Sequence, residues 1–230
     1  MRPARRVGES YVLMAAKYGK PFSSQAIAER FRICFDTAPP LAFPGASEAE
    51  IDLLERNWWK DLVRRIFEPW GYFEGFDEYF SDLFGHFARP DAWTLYPDVP
   101  ETLAALRQRG LILDVISNFD SRLMGILEGL DAAHWFEHVF ISSRVGYAKP
   151  AREIFEAALR HHGIDAQNAA HIGDSQDRDI HGALNAGLKA ILVDRERDNR
   201  SAPVSRVASL KEVLYLLDDS KRLDTSMRLR

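Results

Sequence analysis

The chain is short of cysteine: among its 230 residues there is one, Cys34. A single thiol excludes an internal disulfide framework and fits a reducing compartment, so a cytoplasmic protein is expected. Long apolar runs are missing too. No stretch approaches the roughly 20 residues a helix needs to span a bilayer. The start, Met1-Arg-Pro-Ala-Arg-Arg6, has no apolar stretch behind it to make a secretory signal. Nor is there an excess of positive charge. Thirty Lys and Arg against 34 Asp and Glu leave a net charge of −4, which argues against a broad nucleic-acid surface. What is abundant is ordinary for a globular protein, with 46% apolar and 28% charged residues. The length suits one domain, or one core with an inserted lobe.

The first half reads as helices. Val7 to Tyr18 is helix-compatible and is stopped by Gly19 and Pro21. Ser23 or Ser24 can cap a second helix with Ile27, Phe31 and Phe35 on one stripe, ended by Pro39-Pro40. Ser47 with Glu50 forms a capping-box pattern, opening a helix through Ile51, Leu54, Trp58, Leu62 and Ile66. Phe76 to Phe87 gives a fourth helix. Aromatics are dense throughout this half, and packing between helices is the reading expected for them.

The second half alternates. Apolar strands are expected at Leu111–Ser117, Val139–Ser142, Ala169–Ile172 and Ala190–Val193. Helices are expected at 99–109, 121–130, 151–162, 179–186 and 210–217, and Asp194–Ser205 reads as a polar surface loop. Short apolar strands alternating with helices imply βαβ units and a parallel sheet. In such sheets ligands sit at the carboxyl ends of strands. Three of those ends carry polar groups: Ser117-Asn118, Lys149-Pro150, and Gly173-Asp174 followed by Asp177 and Asp179. Pro150 suits the first turn of a helix. A hydroxyl and backbone N–H groups can bind phosphoryl oxygens, and a lysine adds fixed positive charge. Closely spaced carboxylates offer oxygen ligands to Mg²⁺, which usually takes one or two of them and keeps several waters. Each element alone is compatible with an ordinary turn, cap or solvated side chain. Their order and shared position point to phosphoryl transfer, which runs on positioning and charge stabilisation.

At these residues the sequence resembles the haloacid dehalogenase (HAD) superfamily. Ser117-Asn118 is similar to its second motif and Lys149 in Gly-Tyr-Ala-Lys-Pro to its third. Gly173-Asp174…Asp179, followed by Gly182-Ala183 and Ala186-Gly187, is similar to its fourth. The resemblance implies an α/β fold, with a Rossmannoid parallel-sheet core and an all-helical cap of the subfamily I kind. The cap would be residues 7–92, and the core 93–230 with the short segment 1–6. It also implies roles. Ser117 would hydrogen-bond the phosphoryl group and Asn118 would orient substrate or the nucleophile loop. Lys149 would neutralise charge, Asp174 would hold Mg²⁺ and Asp179 would support the metal shell. Asp177 has no implied role, and His171 is expected to pack. The implied activity is a Mg²⁺-dependent phosphatase acting on a small phosphomonoester through a phospho-aspartate, with no nucleic-acid or membrane partner.

The first motif, an apolar strand ending in the nucleophilic aspartate, is not found. Only six residues precede Val7, and none of them is acidic. Cys34-Phe-Asp36-Thr37 is a decoy at a helix end, and Asp114 lies within a strand rather than at its end. The first core strand is therefore expected to be missing and the chain as given to be inactive. A start codon placed too late accounts for this, and a non-catalytic HAD-like binding protein is the alternative. A haloacid dehalogenase is a second alternative, disfavoured because halide displacement has no use for the acidic cation site.

Overall fold

Helix-capping chemistry and strand pairing account for most of the elements in the computed structural model, which describes residues 1–196 and 204–217. In chain order these are β1 (Arg2–Pro3), α1 (Val7–Ala16), α2 (Ser24–Asp36), α3 (Glu48–Phe67) and α4 (Phe76–His86). There follow β2 (Trp93–Thr94), α5 (Val99–Gln108), β3 (Asp114–Ser117), α6 (Arg122–Gly129), β4 (His138–Ile141) and α7 (Ser142–Val145). The rest are α8 (Arg152–His162), β5 (Ala170–Gly173), a π-helical turn over Gln176–His181, α9 (Gly182–Asn185), β6 (Lys189–Val193) and β7 (Ser205–Val207). Among the described residues no helix is long and apolar enough to cross a membrane.

The chain divides into two compact units. The first comprises Met1–Leu95, Asn118–His134 and Ile141–Tyr147. Its α2 is capped by Ser23, whose hydroxyl accepts from the Ala26 N–H at 3.3 Å. At α3, Glu50 accepts from both the Ser47 N–H at 2.9 Å and the Ser47 hydroxyl at 2.6 Å. These bonds satisfy groups that a helix start leaves open. The core is aromatic. Phe67 is fully buried and packs edge-on to Phe22, Phe76 and Tyr79 with ring centroids 5.1–5.5 Å apart, a favoured aromatic geometry. Each such side chain contributes roughly 1.5–3 kcal/mol by burial. Trp70 and Tyr72 instead remain exposed. This unit reaches beyond residues 7–92. Helix α3 and the loop before it hold two later segments, through bonds between Glu55 and both Ser121 and Ser143 and from the Ser142 hydroxyl to the Leu41 carbonyl. Residues Arg2–Pro3 also join it, pairing antiparallel with Trp93–Thr94.

The second unit comprises Tyr96–Ser117, Trp135–Phe140 and the described residues from Ala148 onward. Strands β5, β6 and β7 form a parallel sheet in which Ile172 faces Ile191 and Leu192 faces Arg206. Strand β6 is buried from Ala190 to Val193, whereas β5 is half-buried at best. Strands β3 and β4 form a separate two-stranded sheet. β3 is shorter than the apolar run suggested. It begins at Asp114, and Leu111 and Ile112 before it are exposed. Strand β4 ends at Ile141, because Ser142 opens α7. Strand β7 lies at the end of the expected polar loop, of which residues 197–203 fall outside the described chain. The Lys149–Pro150 bond is cis, and α8 starts at Arg152 rather than at Pro150.

Candidate phosphoryl-binding site

The site residues of the second unit gather at the carboxyl ends of β3 and β5. Ser117 is the last residue of β3, and the chain passes from the second unit to the first at the bond between Ser117 and Asn118. Lys149 stands ahead of α8 and joins the two strand ends. Its Nζ donates to the Ile116 carbonyl at 2.7 Å, just before Ser117, and to Asp179 Oδ1 at 2.6 Å.

Asp179 is placed by local geometry. After β5 the chain turns through Ser175, whose hydroxyl accepts from the Arg178 N–H at 3.2 Å. Asp179 N–H donates to the Ser175 carbonyl at 2.9 Å, and its Oδ2 accepts from the Ser175 N–H at 2.9 Å. This reciprocal pair folds the carboxylate back against β5. A Cβ at Gly173 would lie 2.3 Å from Asp179 Cγ, so only glycine allows that approach. Gly182 does the same one turn later. A Cβ there would stand 2.8 Å from the Phe155 ring and 3.0 Å from Pro150 Cα, beside the turn that carries Lys149. The glycines of the fourth motif are thus spacers that let carboxylate and lysine meet.

The Asp179 side chain is buried with Lys149. Burial alone would raise its carboxyl. The hydrogen bond from His171 and the charge and hydrogen bond of Lys149 outweigh that effect and hold it well below the usual carboxylate range. His171 was expected only to pack. It does pack edge-on to Phe155, with centroids 5.1 Å apart, but its Nε2 also lies 3.0 Å from Asp179 Oδ1. A polar residue two positions before Gly173 on an apolar strand was the signal for this second role.

Asp174 is separate from that cluster. It is exposed and lines a polar cavity of about 350 Å³ with Tyr96, Gln176, Asp194, Arg195 and Arg206. Arg195 pairs with Asp98 at 3.1 Å and lies 3.9 Å above the Tyr96 ring, while Arg206 pairs with Asp194. None of these arginines was marked by a sequence motif. Asp177 is solvated, with His181 at 3.4 Å. Among the described residues no group of three or more His, Cys, Asp or Glu side chains is arranged to hold a metal ion. The donor chemistry still suits Mg²⁺, because Mg²⁺ is content with one carboxylate, waters and phosphate oxygens. Asp174 offers that carboxylate. Both Asp179 oxygens are bonded to the protein's own donors, which limits Asp179 to an indirect part.

The arrangement offers a lysine cation, a strand-end hydroxyl and an exposed carboxylate, a set suited to a dianionic oxyanion. A family model for haloacid dehalogenase-like hydrolases matches residues 7–187. The chain is 33% identical over 195 residues to haloacid dehalogenase-like hydrolase domain-containing protein 3 of Bos taurus, covering 84% of this chain and 77% of that protein. It is 38% identical over 125 residues to a phosphoserine phosphatase of Thermus thermophilus, covering 53% of this chain and 50% of that one. In fold it is similar to the magnesium-bound HAD-hydrolase YfnB of Bacillus subtilis. That match has a TM-score of 0.73 at 17% identity and covers 93% and 91% of the two chains.

Proposed function

This chain belongs to the haloacid dehalogenase-like hydrolases, and from that premise we propose that it carries a phosphatase-type site for a small phosphomonoester but lacks the nucleophile. The observation that carries the reading is Lys149, whose Nζ bonds both the Ile116 carbonyl beside Ser117 and the Asp179 carboxylate beside β5. A cation fixed at two strand ends is preorganised for phosphoryl oxygens. Ser117 donates its hydroxyl to the phosphoryl group, and Asn118 orients the substrate. His171 and the Ser175 N–H hold Asp179, which in turn holds Lys149 in place. Mg²⁺ bound at Asp174 would supply neutralisation of phosphoryl charge. The phosphoserine phosphatase relative supports the phosphatase class.

Three other carboxylates are poorly placed to act as a nucleophile at Ser117. Asp36 is exposed at the end of a helix, not at the carboxyl end of a strand. Asp114 opens β3 three residues before Ser117, roughly 10 Å away at strand rise. It is already bonded to His162 at 2.6 Å and to the His138 N–H at 3.0 Å. Asp179 is committed to Lys149. On this reading the 230-residue chain binds phosphate without hydrolysing phosphoesters.

Titration calorimetry tests the binding half. Inorganic phosphate with Mg²⁺ is expected to bind the 230-residue chain, and Asp174→Asn to weaken binding at least about tenfold. Equal affinity in EDTA would remove the metal from the account. No binding under either condition would remove the phosphoryl site.

A further inference from the structure

The first unit holds an apolar pocket of its own, with a volume of about 70 Å³. That is several times the roughly 10–15 Å³ that one water needs. Every residue lining it belongs to this unit. Six aromatic rings stand around it: Phe31, Trp59, Phe84, Phe87, Trp93 and Phe119. Other rings of the unit, such as Phe67 and Tyr79, are fully buried. These six are only half-buried. Apolar surface left facing water is unfavourable, and an occupant of the pocket would cover it. Rings prefer edge-on or offset neighbours. The wall already uses that geometry, with Trp93 edge-on to Phe119 at 5.5 Å.

The polar groups in the wall narrow the chemistry of the occupant. Both indole N–H groups are committed, Trp59 to Asp120 at 2.5 Å and Trp93 to the Phe87 carbonyl at 3.0 Å. The Arg122 guanidinium is neutralised by Asp120, which it grips through two nitrogens. It lies 3.8 Å from the centre of the Phe84 ring and 5.3 Å from that of Trp59. A charged ligand would lose its hydration here and find no open counter-ion. Water would find few partners on such a wall. Tyr11 supplies a donor that is still open. It lines the pocket and is 2% exposed, and no described residue shares a hydrogen bond with its hydroxyl. Burial pushes the phenol up, so it stays protonated and able to donate. We infer that the pocket binds a small neutral aromatic molecule with one hydrogen-bond acceptor, its ring among Trp59, Phe84 and Phe119 and its acceptor on the Tyr11 hydroxyl. Phosphate and Mg²⁺ have no part in this binding.

The test titrates benzyl alcohol into the 230-residue chain and follows the ligand by NMR. Saturable binding is expected, with a Kd of about 1 mM or tighter for so small a ligand. Benzoate keeps the ring and adds a charge, and should bind at least about tenfold more weakly. Cyclohexylmethanol keeps the hydroxyl without the aromatic ring, and a weakening of about threefold is expected. Val7 lines the pocket and is half-buried at the start of α1. Val7→Phe fills the pocket from that side and should abolish binding. Tyr11→Phe keeps the ring, removes the donor and should weaken binding by about threefold or more. It is the readout if Val7→Phe does not fold, as judged by circular dichroism. No saturable binding of benzyl alcohol overturns the inference, and so does undiminished binding in the folded variants. Benzoate binding as tightly as benzyl alcohol overturns it as well.

Discussion

Replacing Lys149 with Met is expected to remove about 3–5 kcal/mol of folding stability and to abolish phosphate binding. Asp179 is buried and the lysine half-buried beside it, with side chains 6% and 12% exposed. Taking away the cation leaves a carboxylate that is low in pKa because of its neighbours and has lost one of them. Breaking such a pair from one side costs far more than the pair itself contributes, because the remaining charge is uncompensated. At about 2–4 °C per kcal/mol for a chain of this size, the melting temperature should fall by roughly 6–20 °C. Thermal unfolding followed by circular dichroism reads this directly. The double variant Lys149→Met/Asp179→Leu should recover a large part of the loss, since it leaves no charge behind. A drop of under about 2 °C in the single variant would mean that the ion pair is not formed as described.

Arg122→Met should be comparably damaging in the first unit. Asp120 is fully buried, and the Arg122 side chain is 11% exposed. The guanidinium grips both carboxylate oxygens, at 2.8 Å from Nε to Oδ1 and at 2.6 Å from the terminal nitrogen to Oδ2. It also donates to the Phe84 carbonyl at 2.9 Å and lies 3.8 Å above the Phe84 ring. Methionine keeps some of the packing and none of the charge. Trp59 and the Arg122 backbone N–H still reach Asp120, but two neutral donors do not balance a buried anion. A loss of about 3–5 kcal/mol is expected. Denaturant titration should show it as a lower midpoint with an unchanged slope. An unchanged midpoint would show that Asp120 is not held as an ion pair.

Much of the architecture was legible because it rests on local chemistry. Ser23 and the Ser47–Glu50 pair start helices by filling open N–H groups, and both patterns are visible within four residues. The alternation of short apolar runs with helices gave the parallel sheet. The misreadings have local causes too. Leu111 to Leu113 is as apolar as a strand, but apolar character alone does not supply a pairing partner, and the run enters a strand only at Asp114. No strand was expected at Ser205–Val207, which begins on the last residue of the expected loop and pairs with β6. Periodicity could not separate an α-helix from the π-helical turn that brings Asp179 back onto Ser175.

The candidate site was legible as far as its motifs reach. Lys149 and Asp179 stand in recognisable strings, and the structure joins them. Asp174 stands in the same string and lines a polar cavity, exposed because the turn after β5 folds Asp179 inward and leaves Asp174 outside. His171 was visible only as a polar residue on an apolar strand.

On the proposed function, the chain holds the phosphoryl-binding groups without the nucleophile. The measurement is release of an aryl alcohol from an aryl phosphate in Mg²⁺, by the 230-residue chain and by a version preceded by an apolar strand ending in aspartate. The account predicts no release above buffer from the first and Mg²⁺-dependent turnover from the second. Saturable, Mg²⁺-dependent release by the 230-residue chain itself, lost in Lys149→Met, would contradict it and would mean that one of the chain's own carboxylates is the nucleophile.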